Sequence, residues 1–180
     1  VQECAAGLIR IRRDGSRLAF GAPPTLKTGP VDDALLDTVA RALRIARGDI
    51  VQHQWVDNGP GWMAVMLRSA EQVLALRPDF SQAEGIKLGV VGPYPPGSVA
   101  QFELRAFITL GHTIEDPVTG SLNASLAQWL IADGHIGRHY VAAQGACLGR
   151  AGRVHIEQDD AGQVWVGGDT VTCIQGSVAL

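Results

Sequence analysis

Glu115-Asp116-Pro117-Val118-Thr119-Gly120-Ser121-Leu122-Asn123-Ala124 runs without a break into Ser125-Leu126-Ala127-Gln128-Trp129-Leu130-Ile131. The stretch reads as an acidic turn followed by the start of a helix. Pro117 disfavours helix at Asp116. Thr119 or Ser121 is placed to cap the first amides, and Gly120 lets backbone or ligand approach closely. From Ser121 to Ala132 the side chains are apolar or small on nearly every face. A helix of that kind is enclosed by protein rather than laid on a surface. This predicts a central buried helix over about 119–133, closed by Asp133-Gly134. Its polar, glycine-bearing N-terminus could hold an anion on free amides. A well-capped core helix is the plainer reading of the same residues.

Upstream, residues 7 to 20 alternate as a hairpin, with Asp14-Gly15 as the two-residue turn signal. Ala22-Pro23-Pro24 reads as a linker. Gly29-Pro30 opens an amphipathic helix through Val31, Leu35, Leu36, Val39 and Leu43, which Gly48 stops. Residues 49–57 and 62–68 read as strands joined by the rigid loop Asp57-Asn58-Gly59-Pro60-Gly61. Ser69-Ala70-Glu71-Gln72 is a capping box for a short helix ending near Arg77-Pro78. Strands are expected over 86–91, 101–108, 140–143, 153–158, 163–166 and 170–180. Many strands, one buried helix and two amphipathic ones make the fold class α+β.

Composition narrows the functions. Of the 180 residues, 46% are hydrophobic and only 18% charged, so much of the chain must be inside. The net charge is −3 and no basic run occurs, which argues against a nucleic-acid partner. No apolar run reaches membrane-spanning length. Three widely spaced cysteines, Cys4, Cys147 and Cys173, argue against a disulfide scaffold and make a reducing cytoplasm the default location.

Among candidate sites, Asp116 with Ser121 is the strongest pair. The five-residue step puts a carboxylate in the turn and a hydroxyl in the first helical turn, aimed at one pocket. The carboxylate can accept a hydrogen bond or a proton, while the amides of Gly120 and Ser121 can bind a substrate carboxylate. The plain alternative is that both residues only cap. Cys4 precedes a strand and not a helix, and a structural role is expected. Cys147 and Cys173 sit in strand-like sequence and are expected in the core. His112 with Glu115 and Asp116 supplies too few ligands for a metal. Neither nucleotide-binding glycine motif is present.

Gln2-Glu3-Cys4-Ala5-Ala6-Gly7-Leu8-Ile9, Val56-Asp57-Asn58-Gly59-Pro60, Arg105-Ala106-Phe107 and Glu115-Asp116-Pro117-Val118-Thr119-Gly120-Ser121 together resemble the phenazine-biosynthesis PhzF-like proteins, in the same order and over essentially the whole chain. The resemblance implies a diaminopimelate epimerase-like fold, in which two lobes each wrap a sheet around a central helix and the active site lies between the helix N-termini. It implies a cofactor-free, usually dimeric isomerase that moves a proton on a small carboxylate-bearing metabolite. Carried over, Asp116 and Ser121 are the catalytic positions, and Gly120, Thr119, Asn58 and Gly59 contact substrate.

The family's Asn-x-Ser-Glu-Thr-like segment, with its general acid/base Glu, and its Gly-His-Pro helix opening have no counterpart here. The expectation is a chain lacking the N-terminal part of the first lobe. Residues 1–26 and about 161–180 would be remnant first-lobe strands, and 29–160 a complete second lobe. Apolar faces left without partners then predict a homodimer built on the orphaned strands. Two readings result: an isomerase-type protein incomplete as a catalyst, or a non-catalytic small-acid-binding or dimerising module.

Overall fold

The computed structural model describes residues 1–4 and 7–177. Strands β1 (Gln2–Cys4) and β2 (Gly7–Ile9) form an antiparallel ribbon separate from the main sheet. Strands β3 (Ile11–Asp14) and β4 (Arg17–Gly21) form the hairpin proper. The expected single hairpin over 7–20 is thus divided at Arg10, because β2 pairs backwards with β1. Its turn also shifts by one residue, to Gly15-Ser16. Asp14 stays in the ladder opposite Arg17, and Gly15 takes the left-handed φ of 57°.

Helix α1 (Asp33–Leu43) starts where the Asp32 carboxylate accepts from the Leu35 amide at 2.9 Å, and it stops where Arg44 turns left-handed. It is therefore shorter than the predicted helix running to Gly48. Strands β5 (Gln52–Trp55) and β6 (Met63–Met66) follow, then α2 (Ala70–Ala75). Ser69 caps α2 as expected, accepting from Gln72 N at 3.2 Å.

Strand β7 (Lys87–Pro93) leads to the long β8 (Phe102–Leu110). The acidic segment read as a turn is in fact a strand, β9 (His112–Asp116), folded back on β8 at Gly111. Arg105 explains this. Its guanidinium grips the Glu115 carboxylate through two bonds of 2.8 and 2.7 Å and also donates to the carbonyls of Val73 and Leu76. Helix α3 (Gly120–Ala132) comes next, then β10 (His139–Gln144), β11 (Gly152–Gln158) and β12 (Val164–Asp169).

Ten strands make one sheet in the order β3-β4-β12-β11-β10-β8-β7-β6-β5, with β9 paired to β8. Strand alternation sorts side chains between its two faces. Ala64, Val91, Leu104, Ala142, Ile156 and Val166 face α3 on one side. Val65, Val90 and Phe107 face α1 and α2 on the other. α3 is buried almost all round, as its sequence predicted. β12 ends at Asp169. The strand expected over 170–180 does not form across 170–177, where Val171 and Ile174 are exposed, and 178–180 lie outside the described residues. All three cysteines are exposed, which overturns the core placement expected for Cys147 and Cys173. Cys147 lies in a 3-10 turn, and Cys173 lies past the last strand.

A buried polar network ties α3 to β10. Gln144 is 1% exposed and uses every hydrogen-bonding position of its amide. Its oxygen accepts from Thr119 N at 3.0 Å and Asn123 Nδ2 at 2.9 Å. Its nitrogen donates to the Asp116 carbonyl at 2.8 Å and to Thr119 Oγ1 at 3.0 Å. Glycines let the backbone close around this knot. A Cβ at Gly152 would stand 2.6 Å from both Gln144 O and Val118 Cγ2.

Gln144→Leu strands several buried donors and acceptors at once. It should cost about 3 kcal/mol or more in denaturant unfolding, well above an ordinary surface change. A second test concerns Glu103, which is buried on β8. Tyr94 Oη donates to one of its carboxylate oxygens at 2.8 Å, and the other has no partner among the described residues. Burial raises its pKa above the ordinary 4.5. The folded state then keeps a proton that the unfolded chain releases, so stability falls as pH rises from about 4.5 through the raised value. Glu103→Gln removes this loss, and its melting temperature should pull progressively ahead of the wild type over that range.

Candidate active site

The loop between β5 and β6 is held by Asp57, whose Oδ1 accepts from the amides of Gly59 at 2.8 Å and Gly61 at 2.6 Å. This Asx-type turn needs Gly59, which sits at φ 131°. The turn presents Asn58 to α3, where Asn58 Nδ2 donates to the Ser121 carbonyl at 2.9 Å. The buried Trp62 completes the tie by donating from Nε1 to Ser121 Oγ at 3.0 Å. Two side chains from one loop thus fix the first turn of α3.

A cleft of 970 Å³ opens over that turn. Asn58, Gly59, Gly120 and Ser121 line its polar end, and Phe20, Pro23, Pro24 and Leu26 its apolar wall. Four of the six residues singled out from sequence therefore meet at one cavity. Thr119 is buried beneath it, and Asp116 is not among its lining residues. Instead, Asp116 Oδ2 accepts from the Thr119 hydroxyl at 2.7 Å.

That bond determines how the helix begins. Thr119 occupies the N-cap position of α3 but makes no side-chain cap bond. Its hydroxyl donates to Asp116 and accepts from Gln144, so it is turned away from the helix amides. Ser121 does not cap either, because its Oγ is the acceptor for Trp62. The expected capping by Thr119 or Ser121 is corrected: the N-terminus of α3 reaches the cleft without a side-chain cap. Positive partial charge there favours an anion.

Cys4 also lines the cleft, through an exposed thiol that donates to the Gly7 carbonyl at 3.6 Å. The lining residues include no Asp or Glu. Reading the sequence missed Phe20, Trp62, Asn123 and Gln144. Asn123 alone gave a signal, as an amide near the start of a largely apolar helix. Gln144 gave none.

The chain is similar to known proteins in sequence and in fold. The family model described as phenazine biosynthesis-like protein, PhzC-PhzF, matches residues 1–176. Among curated proteins, antisense-enhancing sequence 1 of Schizosaccharomyces pombe is 27% identical over 98% of this chain, and an uncharacterized isomerase of Pasteurella multocida is 24% identical over 92%. The chain spans 65% and 57% of those two proteins, under two thirds of either. Among solved structures, a PhzF-family protein of Enterococcus faecalis superimposes with a TM-score of 0.72 at 20% identity, covering 98% of this chain and 63% of its own. A protein of Pseudomonas aeruginosa described as a predicted epimerase gives 0.65 at 22%, covering 89% and 58%. The α+β fold is that of these structures. With nearly its whole length matched, the chain belongs to the PhzC-PhzF family of phenazine biosynthesis-like proteins.

Proposed function

We propose that this chain contributes an isomerase- or epimerase-type site that binds a small carboxylate-bearing metabolite at the N-terminus of α3. The observation that carries the reading is the uncapped first turn opening on the cleft, with Gly120 and Ser121 in its lining. A carboxylate there meets backbone amides at the positive end of a buried helix. The apolar wall takes the body of the acid. Asp116 acts as a positioning residue by keeping the Thr119 hydroxyl off the helix amides. Ser121 and Asn58 set the floor.

A second reading has its own support. The cleft lining includes no carboxylate to move a proton, which favours a small-acid-binding module. Titration of small aromatic and amino acids separates the two, with solvent-deuterium exchange into the bound acid followed by NMR. Under either reading Ser121→Ala weakens binding at least about tenfold, because the Ser121 oxygen accepts from Trp62 and its O–H is left to donate to the bound carboxylate. Exchange that disappears in Asp116→Asn supports the isomerase. Binding without exchange supports the module, and binding indifferent to Ser121→Ala removes both.

We also propose self-association through the first strands. β3 is an edge of the main sheet, the β1–β2 ribbon stands off it, and Val1, Leu8 and Ile11 expose apolar surface there. Scattering at micromolar concentration should give twice the chain mass of 19.1 kDa. Leu8→Lys should return it to the monomer value, and a wild-type monomer would reject the idea.

A further inference from the structure

We infer that Phe20 is a specificity-determining residue that restricts the site to acids carrying a single apolar arm. The inference rests on the carboxylate reading of the α3 N-terminus. Phe20 belongs to β4 and faces inward. Its register partner is Val166, which in turn faces Ile156, and both are core residues. The phenyl ring lies directly against the start of α3, since a Cβ built on Gly120 would stand 3.3 Å from Cε1 and 3.4 Å from Cζ.

A second hollow, of 550 Å³, lies on the far side of that ring. Its lining includes Leu18, Val118, Val154 and Val166, with Gly152 and Gly168 leaving room between them. The two hollows share only Phe20 and Gly120 among their lining residues. The point where a carboxylate would be anchored is therefore the point where they meet, and the Phe20 ring is the partition. An acid held at Gly120 can extend its body along the apolar wall of the main cleft. A second bulky substituent on the carbon next to the carboxylate must point the other way, where the ring blocks entry to a space whose valine and leucine wall sits beside Arg153, Asp169 and Thr170. Fold and partition are separable here, because Phe20 is only partly buried and backbone pairing with β3 and β12 holds β4 in place.

Phenylacetate and diphenylacetate test this, as they differ by one phenyl arm on the same carbon. Affinities are measured calorimetrically for the wild type, Phe20→Ala, Phe20→Leu and Ser121→Ala. The wild type should prefer phenylacetate. In Phe20→Ala the preference should move toward diphenylacetate by about tenfold or more, the scale of discrimination an apolar pocket provides. Phe20→Leu, which keeps an apolar contact with Val166, should fall between and covers the case in which the alanine variant folds poorly. An unchanged preference in a folded Phe20 variant, with binding still dependent on Ser121, overturns the Phe20 inference alone. Phenylacetate binding that ignores Ser121→Ala overturns the carboxylate reading. No binding of either acid overturns both.

Discussion

The Gln144 side chain is the constraint on which the candidate site depends. One buried amide satisfies the Asp116 carbonyl, the Thr119 amide and hydroxyl, and the Asn123 side chain. Polar groups this deep must be paired or the fold loses far more than a single hydrogen bond gains. Gln144 therefore fixes both the turn that enters α3 and the rotation of Thr119. With the Thr119 hydroxyl committed to Asp116 and Gln144, the helix meets the cleft with its own N-cap side chain turned away. Local capping and site formation compete for one hydroxyl, and the tertiary network decides the competition.

The rest of the molecule holds that arrangement in place. On one side, the Asp57 turn delivers Asn58, and Trp62 joins it on the first turn of α3. On another, Arg105 pins β9 through Glu115 and so delivers Asp116 at the strand end. A sheet with α3 on one face and α1 and α2 on the other supplies the rigid frame. The site is thus assembled from segments far apart in sequence and meeting at one helix terminus. The chain belongs to the PhzC-PhzF family, and the fold is shared with structures of that family at low sequence identity.

Much of this was legible beforehand. The all-round apolar pattern of residues 121–132 marked a central helix, and the order of four motifs marked the family. Asn58, Gly59, Gly120 and Ser121 could be picked from motif and loop chemistry, and they meet in one cleft. The acidic segment was misread because its strand character comes from Arg105, ten residues before Glu115, and not from its own residue preferences. The 170–180 segment shows the opposite error. Its β-like sequence pairs with nothing across 170–177, and strand propensity without a partner does not make a strand.

By itself the sequence determined what local chemistry controls: which helix is enclosed, where Ser69 caps, and which glycines permit turns. These follow from periodicity and backbone sterics within a few residues. Only the tertiary structure decided that Thr119 would leave its helix uncapped, that Phe20 would press against Gly120, and that Gln144 would tie Asp116, Thr119 and Asn123 to β10. The Gln144 and Phe20 contacts join residues between 21 and 100 positions apart, separations at which a sequence carries no periodic trace of who meets whom. The candidate site lies where long-range pairing overrides a local preference.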